Sequence, residues 1–145
     1  MIELEAGKFA AKRAGDVIKK YYKASYEIKE KGHGNPVTTA DFEADKTIKD
    51  ILMKKFPSYG WLSEETVDSL ERLSKEKVWV VDPLDGTKEF IEGIPNFVVS
   101  IALVEFGVPV IGILYNPILE ELFYAKRHEG AFMNDKKINN IAKNI

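Results

Sequence analysis

Two aspartates three residues apart, at the end of a strongly apolar run, are the residues of this sequence best placed to do chemistry. Trp79-Val80-Val81 leads directly into Asp82-Pro83-Leu84-Asp85-Gly86-Thr87. Strand ends are rigid platforms for ligands, so a buried strand here would hold both carboxylates in place. Pro83 restricts its own φ, and Gly86 lets the backbone come close to a bound group. Thr87 is positioned to cap the turn of Lys88-Glu89-Phe90-Ile91, leaving N–H groups where a phosphate would sit. Hard oxygen ligands in such a cradle suit Mg2+.

Spacing excludes two look-alikes. Aspartyl-phosphate phosphatases use Asp-x-Asp-Gly-Thr, with one residue between nucleophile and general acid, whereas Pro83 and Leu84 both intervene here. An EF-hand loop needs oxygen ligands at alternate positions, which from Asp82 would be Asp82, Leu84 and Gly86. Taken alone, Asp85-Gly86 reads equally well as a plain turn. Two upstream segments add acidic groups. Glu64-Glu65 follows the apolar stretch Tyr59 to Leu62, although adjacent glutamates are ordinarily solvated surface. Asp41, in Pro36-Val37-Thr38-Thr39-Ala40-Asp41, falls in the first turn of a helix, where dipole compensation also selects a carboxylate.

These residues need elements to position them. Residues 2 to about 24 place Ile2, Phe9, Ala10, Ala14, Val17, Ile18 and Tyr21 at helical spacing, predicting an amphipathic helix with one buried face. Tyr26-Glu27-Ile28-Lys29 predicts a short strand, and Gly32-His33-Gly34-Asn35-Pro36 a turn. Thr38 or Thr39 then caps a second helix with Phe42, Ile48, Ile51, Leu52 and Phe56 on its apolar side and Pro57 after its end. The charged stretch from Ser63 to Lys77 is either a short helix or a surface flap. Val78 to Val81, Phe97 to Val104, Val108 to Tyr115 and Leu122 to Tyr124 are β-branched and aromatic runs joined by short turns, which favour antiparallel neighbours. The expectation is α+β, a layered sandwich of two helices on a largely antiparallel sheet, in one domain spanning residues 1–145.

Composition narrows the chemistry. The 145 residues are 45% hydrophobic with a net charge of −2, which argues against binding a nucleic-acid polymer. With no cysteine, thiol nucleophiles, disulfides and thiolate metal sites are excluded. The two histidines, His33 and His128, both fall in turns and read as surface residues. An acidic start and the lack of a long apolar run give a cytoplasmic expectation, with no membrane partner.

Together, Val-Thr-Thr-Ala-Asp ending at Asp41, Glu64-Glu65, and Asp82-Pro83-Leu84-Asp85-Gly86-Thr87 resemble the magnesium-dependent, lithium-sensitive phosphomonoesterases. That superfamily includes inositol monophosphatases, fructose-1,6-bisphosphatases and 3′(2′),5′-bisphosphate nucleotidases. The continuation Lys88-Glu89-Phe90-Ile91, and Lys31 ten residues before Asp41, look most like the nucleotidases that act on 3′-phosphoadenosine 5′-phosphate. Inositol-1-phosphate or another sugar phosphate is the alternative substrate. The resemblance implies two or three Mg2+ ions, with Glu64, Asp82 and the Leu84 carbonyl at the first and Asp82 and Asp85 at the second. It implies that Thr87, oriented by Asp41, acts with Glu64 on the attacking water. Gly86 and Thr87 N–H groups would bind the phosphate, and Glu65 and Lys31 would support the site. Hydrolysis would be an in-line displacement by water without a phosphoenzyme.

Members of the superfamily are longer, and their second half brings a further metal-binding aspartate in a Trp-Asp-x-x-Ala segment. Here the tryptophans are Trp61 and Trp79, and the one aspartate after Asp85 is Asp135. The resemblance therefore implies the N-terminal, metal-binding half of an αβαβα fold, with the C-terminal part absent. A non-catalytic half-fold is the alternative of another class. Such a half would leave the apolar sheet around Phe97 to Val104 bare and open to self-association.

Overall fold

The computed structural model describes residues 1–32 and 34–138; His33 lies outside them. The first helix, α1 (Ile2–Tyr21), buries a narrow seam of Ala6, Gly7, Ala10, Ala11, Ala14, Gly15 and Ile18. Ile2 and Phe9, expected on the buried face, are 59% and 56% exposed. The reason is close approach. A Cβ at Gly7 would lie 2.5 Å from Ile113 Cδ1, so the seam is lined mostly by small residues, and Ile2 and Phe9 fall on the outward side.

A two-stranded antiparallel hairpin follows, β1 (Ile28–Glu30) and β2 (Pro36–Thr38). Thr38 caps α2 (Thr39–Lys55), and Thr39 instead accepts the Glu27 N–H through its hydroxyl. The inward face of α2 carries Ala40, Asp41, Ala44, Asp45, Ile48 and Leu52, while Phe42, expected to be apolar core, is exposed. Two of those inward positions are carboxylates.

The seven-stranded sheet comprises β3 (Gly60–Ser63), β4 (Lys77–Asp85), β5 (Val98–Glu105), β6 (Val108–Asn116), β7 (Glu121–Lys126), β8 (Ala131–Met133) and β9 (Lys136–Lys137), in that spatial order. Every neighbour pair is antiparallel except β3–β4, which is parallel. The stretch between β3 and β4 holds a single 3-10 turn, Glu71–Ser74, and exposes Val67, Leu70 and Leu73, so it is a flap and not a helix. His128 lies exposed in the β7–β8 turn.

One sheet face packs on α1 and α2. Trp79, Val81, Val99, Ile101, Leu103, Ile111 and Ile113 meet Ala10, Ile18, Ala44, Ile48 and Leu52 in one core. Each such large side chain contributes roughly 1.5–3 kcal/mol on leaving water. The opposite face, through Ala102, Gly112, Leu114, Phe123 and Ala125, lines an apolar groove of about 300 Å3. Leu114 there is 44% exposed. Among the described residues no helix is long and apolar enough to cross a membrane.

Candidate active site

The end of β4 is bent by a bulge. Asp82 pairs with Ser100 and Asp85 with Val98, so Pro83 and Leu84 together stand opposite the single residue Val99. In a regular strand two residues three apart would face opposite sides of the sheet. The extra residue cancels that alternation. Asp82 and Asp85 accordingly line the same cavity, of about 230 Å3, with Glu64, Glu65, Leu84, Gly86 and Thr87. Pro83 suits the bulge because it lacks a ladder donor.

Glu64 arrives through the parallel strand. Ser63 is in register with Val81, and the Glu64 N–H donates to the Val81 carbonyl at 3.2 Å, placing Glu64 beside Asp82. Burial, reinforced by the nearby Asp85 and Glu64 carboxylates, pushes the Asp82 carboxyl up to about 6. Glu65 is also raised, by burial first and by Asp41 and Asp45, against the lowering effect of Lys31. Lys31 Nζ donates to Glu65 Oε1 at 2.7 Å and to the Glu64 carbonyl at 3.2 Å, while Glu65 Oε2 is buried without a partner among the described residues. Lys31 thus reaches Glu64 and Glu65 from the β1–β2 hairpin.

Thr87, which lines the cavity, is hydrogen-bonded to a buried carboxylate. Asp41, 1% exposed, closes a capping box in which its Oδ2 accepts from the Thr38 N–H at 2.8 Å and from the Thr38 hydroxyl at 2.6 Å. Its Oδ1 accepts from the Thr87 hydroxyl at 2.9 Å. Thr87 is not a helix cap, contrary to expectation. Gly86 caps α3 (Thr87–Glu92) without a side-chain bond, and the Thr87 hydroxyl is turned toward Asp41 and the Leu84 carbonyl instead. Gly86 holds φ +103°, and a Cβ there would lie 2.7 Å from the Asn96 carbonyl oxygen. Gly86→Ala is therefore expected to cost at least about 2 kcal/mol in urea unfolding; a loss under half of that would contradict this reading of the turn.

The donor set fits a hard divalent cation. It consists of carboxylates and one carbonyl, with no soft ligand; two lysines, Lys31 and Lys88, also line the cavity, and Lys31 pairs with Glu65. Among the described residues no three His, Asp or Glu side chains form a ready-made chelate, and Glu64 and Asp85 are exposed at the cavity rim. Asp135 plays no part. It accepts from the Tyr124 hydroxyl at 2.6 Å and sits near Lys8, at the β8–β9 turn.

One element of the site is not anticipated by the sequence reading. Asp45, buried on α2, accepts from the hydroxyls of Ser63 and Thr66, which flank the two glutamates. The readable signal is spacing: Asp41 and Asp45 are one helical turn apart, so burying the first tends to bury the second.

The sequence matches the inositol monophosphatase family over residues 3–144. Inositol monophosphatase from Mesembryanthemum crystallinum is 40% identical over 132 residues, covering 90% of this chain and 49% of that protein. Inositol-1-monophosphatase from Mesorhizobium japonicum is 40% identical over 135 residues, covering 93% and 48% respectively. The extragenic suppressor protein suhB from Bartonella henselae superposes with a TM-score of 0.93 at 38% identity, over 99% of this chain and 56% of that one. For the Thermotoga maritima IMPase the values are 0.90 and 31%, over 98% and 55%. The chain spans about half the length of the curated relatives it matches. None of these relatives is named for a nucleotide substrate, so the expected preference for 3′-phosphoadenosine 5′-phosphate finds no support.

Proposed function

Because the chain belongs to the inositol monophosphatase family, we propose that it forms the cation- and phosphate-binding part of a phosphomonoesterase for inositol phosphate or a related sugar phosphate. The observation that carries this reading is the gathering of Asp82, Asp85 and Glu64 around one cavity, with Asp82 lifted to about 6 by burial and its acidic neighbours. Such a site is unfavourable by itself and favourable around a divalent cation. Glu64, Asp82, Asp85 and the Leu84 carbonyl would hold Mg2+. Bound there, Mg2+ supplies charge neutralisation of phosphate oxygens and acidification of water.

The chain's own groups do the rest. Asp41, fixed by its capping box, accepts the Thr87 proton, which leaves the Thr87 oxygen free to accept a hydrogen bond from water. Glu64, exposed at the cavity rim, is the second acceptor for that water. Gly86 and Thr87 line the same cavity, with their backbone at the start of α3 available to a phosphate. Lys31 holds the Glu64–Glu65 turn against the hairpin.

A second reading, substrate binding without turnover, is favoured by the lack of a ready-made three-carboxylate chelate among the described residues. Calorimetry and phosphate release separate the two. In Mg2+, inositol 1-phosphate is expected to bind and to release phosphate faster than 3′-phosphoadenosine 5′-phosphate does. Binding without release supports the second reading. Tighter binding and faster release with the nucleotide would overturn the substrate class.

A further inference from the structure

Two hydrogen-bonded arms converge on Asp45. In one, the Trp61 indole N–H donates to Thr66 Oγ1 at 3.2 Å, and the Thr66 hydroxyl donates to Asp45 Oδ2 at 2.6 Å. In the other, the Glu65 N–H donates to Ser63 Oγ at 3.2 Å, and the Ser63 hydroxyl donates to Asp45 Oδ1. Each hydroxyl already accepts an N–H, so its one proton points at the carboxylate, and both Asp45 oxygens are acceptors. Asp45 is 6% exposed, and among the described residues no cation pairs with it. A buried charge held solely by two hydroxyls fixes those hydroxyls in return, because losing either leaves it under-solvated.

Those hydroxyls bracket Glu64-Glu65. Ser63 is the last residue of β3 and Thr66 the first after the pair, so the ends of the acidic turn are both tied to α2 at one carboxylate. On the cavity side the same turn is held by Lys31 at the Glu64 carbonyl and Glu65 Oε1. α2 also carries Asp41, one turn earlier, which fixes Thr87. One helix face therefore braces both the acidic turn and Thr87.

We infer that Asp45 is a positioning residue: acting through Ser63 and Thr66, it sets where Glu64 and Glu65 present their carboxylates to a cation in the cavity. This inference rests on the cation reading of the site. Partners that orient metal ligands typically change metal affinity by about 10–100-fold when lost. A carboxamide at position 45 cannot serve, because its NH2 would face a hydroxyl that has no other acceptor for its proton.

The test titrates Mn2+ alone into the full chain and follows free Mn2+ by electron paramagnetic resonance, with melting in EDTA recorded for each variant. Asp45→Asn and Thr66→Val are expected to weaken Mn2+ binding about tenfold, and Thr66→Ser, which keeps the hydroxyl, to stay within about twofold of wild type. If Asp45→Asn does not fold, the Thr66→Val and Thr66→Ser pair decides. Wild-type affinity in Thr66→Val, or equal weakening in Thr66→Ser, would overturn the assignment even where melting temperatures fall, since a merely structural role predicts that pattern. A wild-type chain that binds no Mn2+ would overturn the cation reading and this assignment with it.

Discussion

An Asp82→Asn variant is expected to lose divalent-cation binding by about a hundredfold or more and, in EDTA at pH 7, to be more stable than wild type. Removing a unit charge beside a divalent ion removes several kcal/mol even at an effective dielectric near ~20, which sets the scale of the affinity loss. The stability gain has a definite sign. Burial and the neighbouring Asp85 and Glu64 raise Asp82 to about 6, above the ordinary 3.8, so the folded state binds its proton more tightly than the unfolded chain. Above pH ~6 the folded state carries an ionised carboxylate that it disfavours, by about 1–2 kcal/mol after allowing for solvent screening. Asparagine removes that penalty. As pH falls from 6 toward 4 wild type takes up the proton and gains stability, so the advantage of the variant shrinks. Urea unfolding in EDTA at pH 7 and pH 4.5, with Mg2+ calorimetry at pH 7, measures both effects. A variant less stable than wild type at pH 7, or one that keeps wild-type Mg2+ affinity, contradicts the account of the site.

Gly15→Leu is expected to destabilise the chain by at least about 3 kcal/mol, beyond the usual cost of overpacking. A Cβ at Gly15 would lie 2.5 Å and 2.9 Å from the Tyr115 ring and 3.0 Å from Pro117 Cβ. The further atoms of leucine have nowhere to go without lifting α1 from β6. That separation would open the shared core around Ile18, Ile113 and Leu122. Urea unfolding provides the value, and a change under about 0.5 kcal/mol, the scale of neutral surface substitutions, would show that the α1 seam is looser than described.

That seam also shows where sequence reading stops. Helical period located α1 and α2, but it ranked residues by hydrophobicity and so put Ile2, Phe9 and Phe42 in the core. The inward face of α1 is instead mostly alanine and glycine, and that of α2 mixes alanine and two aspartates with Ile48 and Leu52, a choice set by the distance between helix and sheet. Distance is a tertiary quantity that no single helix encodes. Strands β4 to β7 and their turns were legible because alternation, β-branching and short connections are local signals. The parallel β3–β4 pair was not legible, since four residues carry no register and the flap hides the connection.

The site divides along the same line. Asp82, Asp85, Gly86 and Thr87 are neighbours in sequence, and their grouping in one cavity was readable. The bulge that turns both aspartates to the same side was not readable, nor was the exchange of roles between Gly86 and Thr87 at the cap of α3. Asp45 was missed because its partners, Ser63 and Thr66, lie 18 and 21 residues away and meet it only through the packing of α2 on β3.

On the proposed reading, the acidic cavity at the end of β4 holds a divalent cation. Anomalous diffraction from crystals of this chain grown with Mn2+ tests it most directly. A strong anomalous peak is expected in the cavity, with oxygens of Asp82, Glu64 and Asp85 at about 2.0–2.3 Å as an oxygen-ligated small divalent ion requires. Mn2+ bound only elsewhere on the protein, with Asp82, Asp85 and Glu64 unligated, would contradict it.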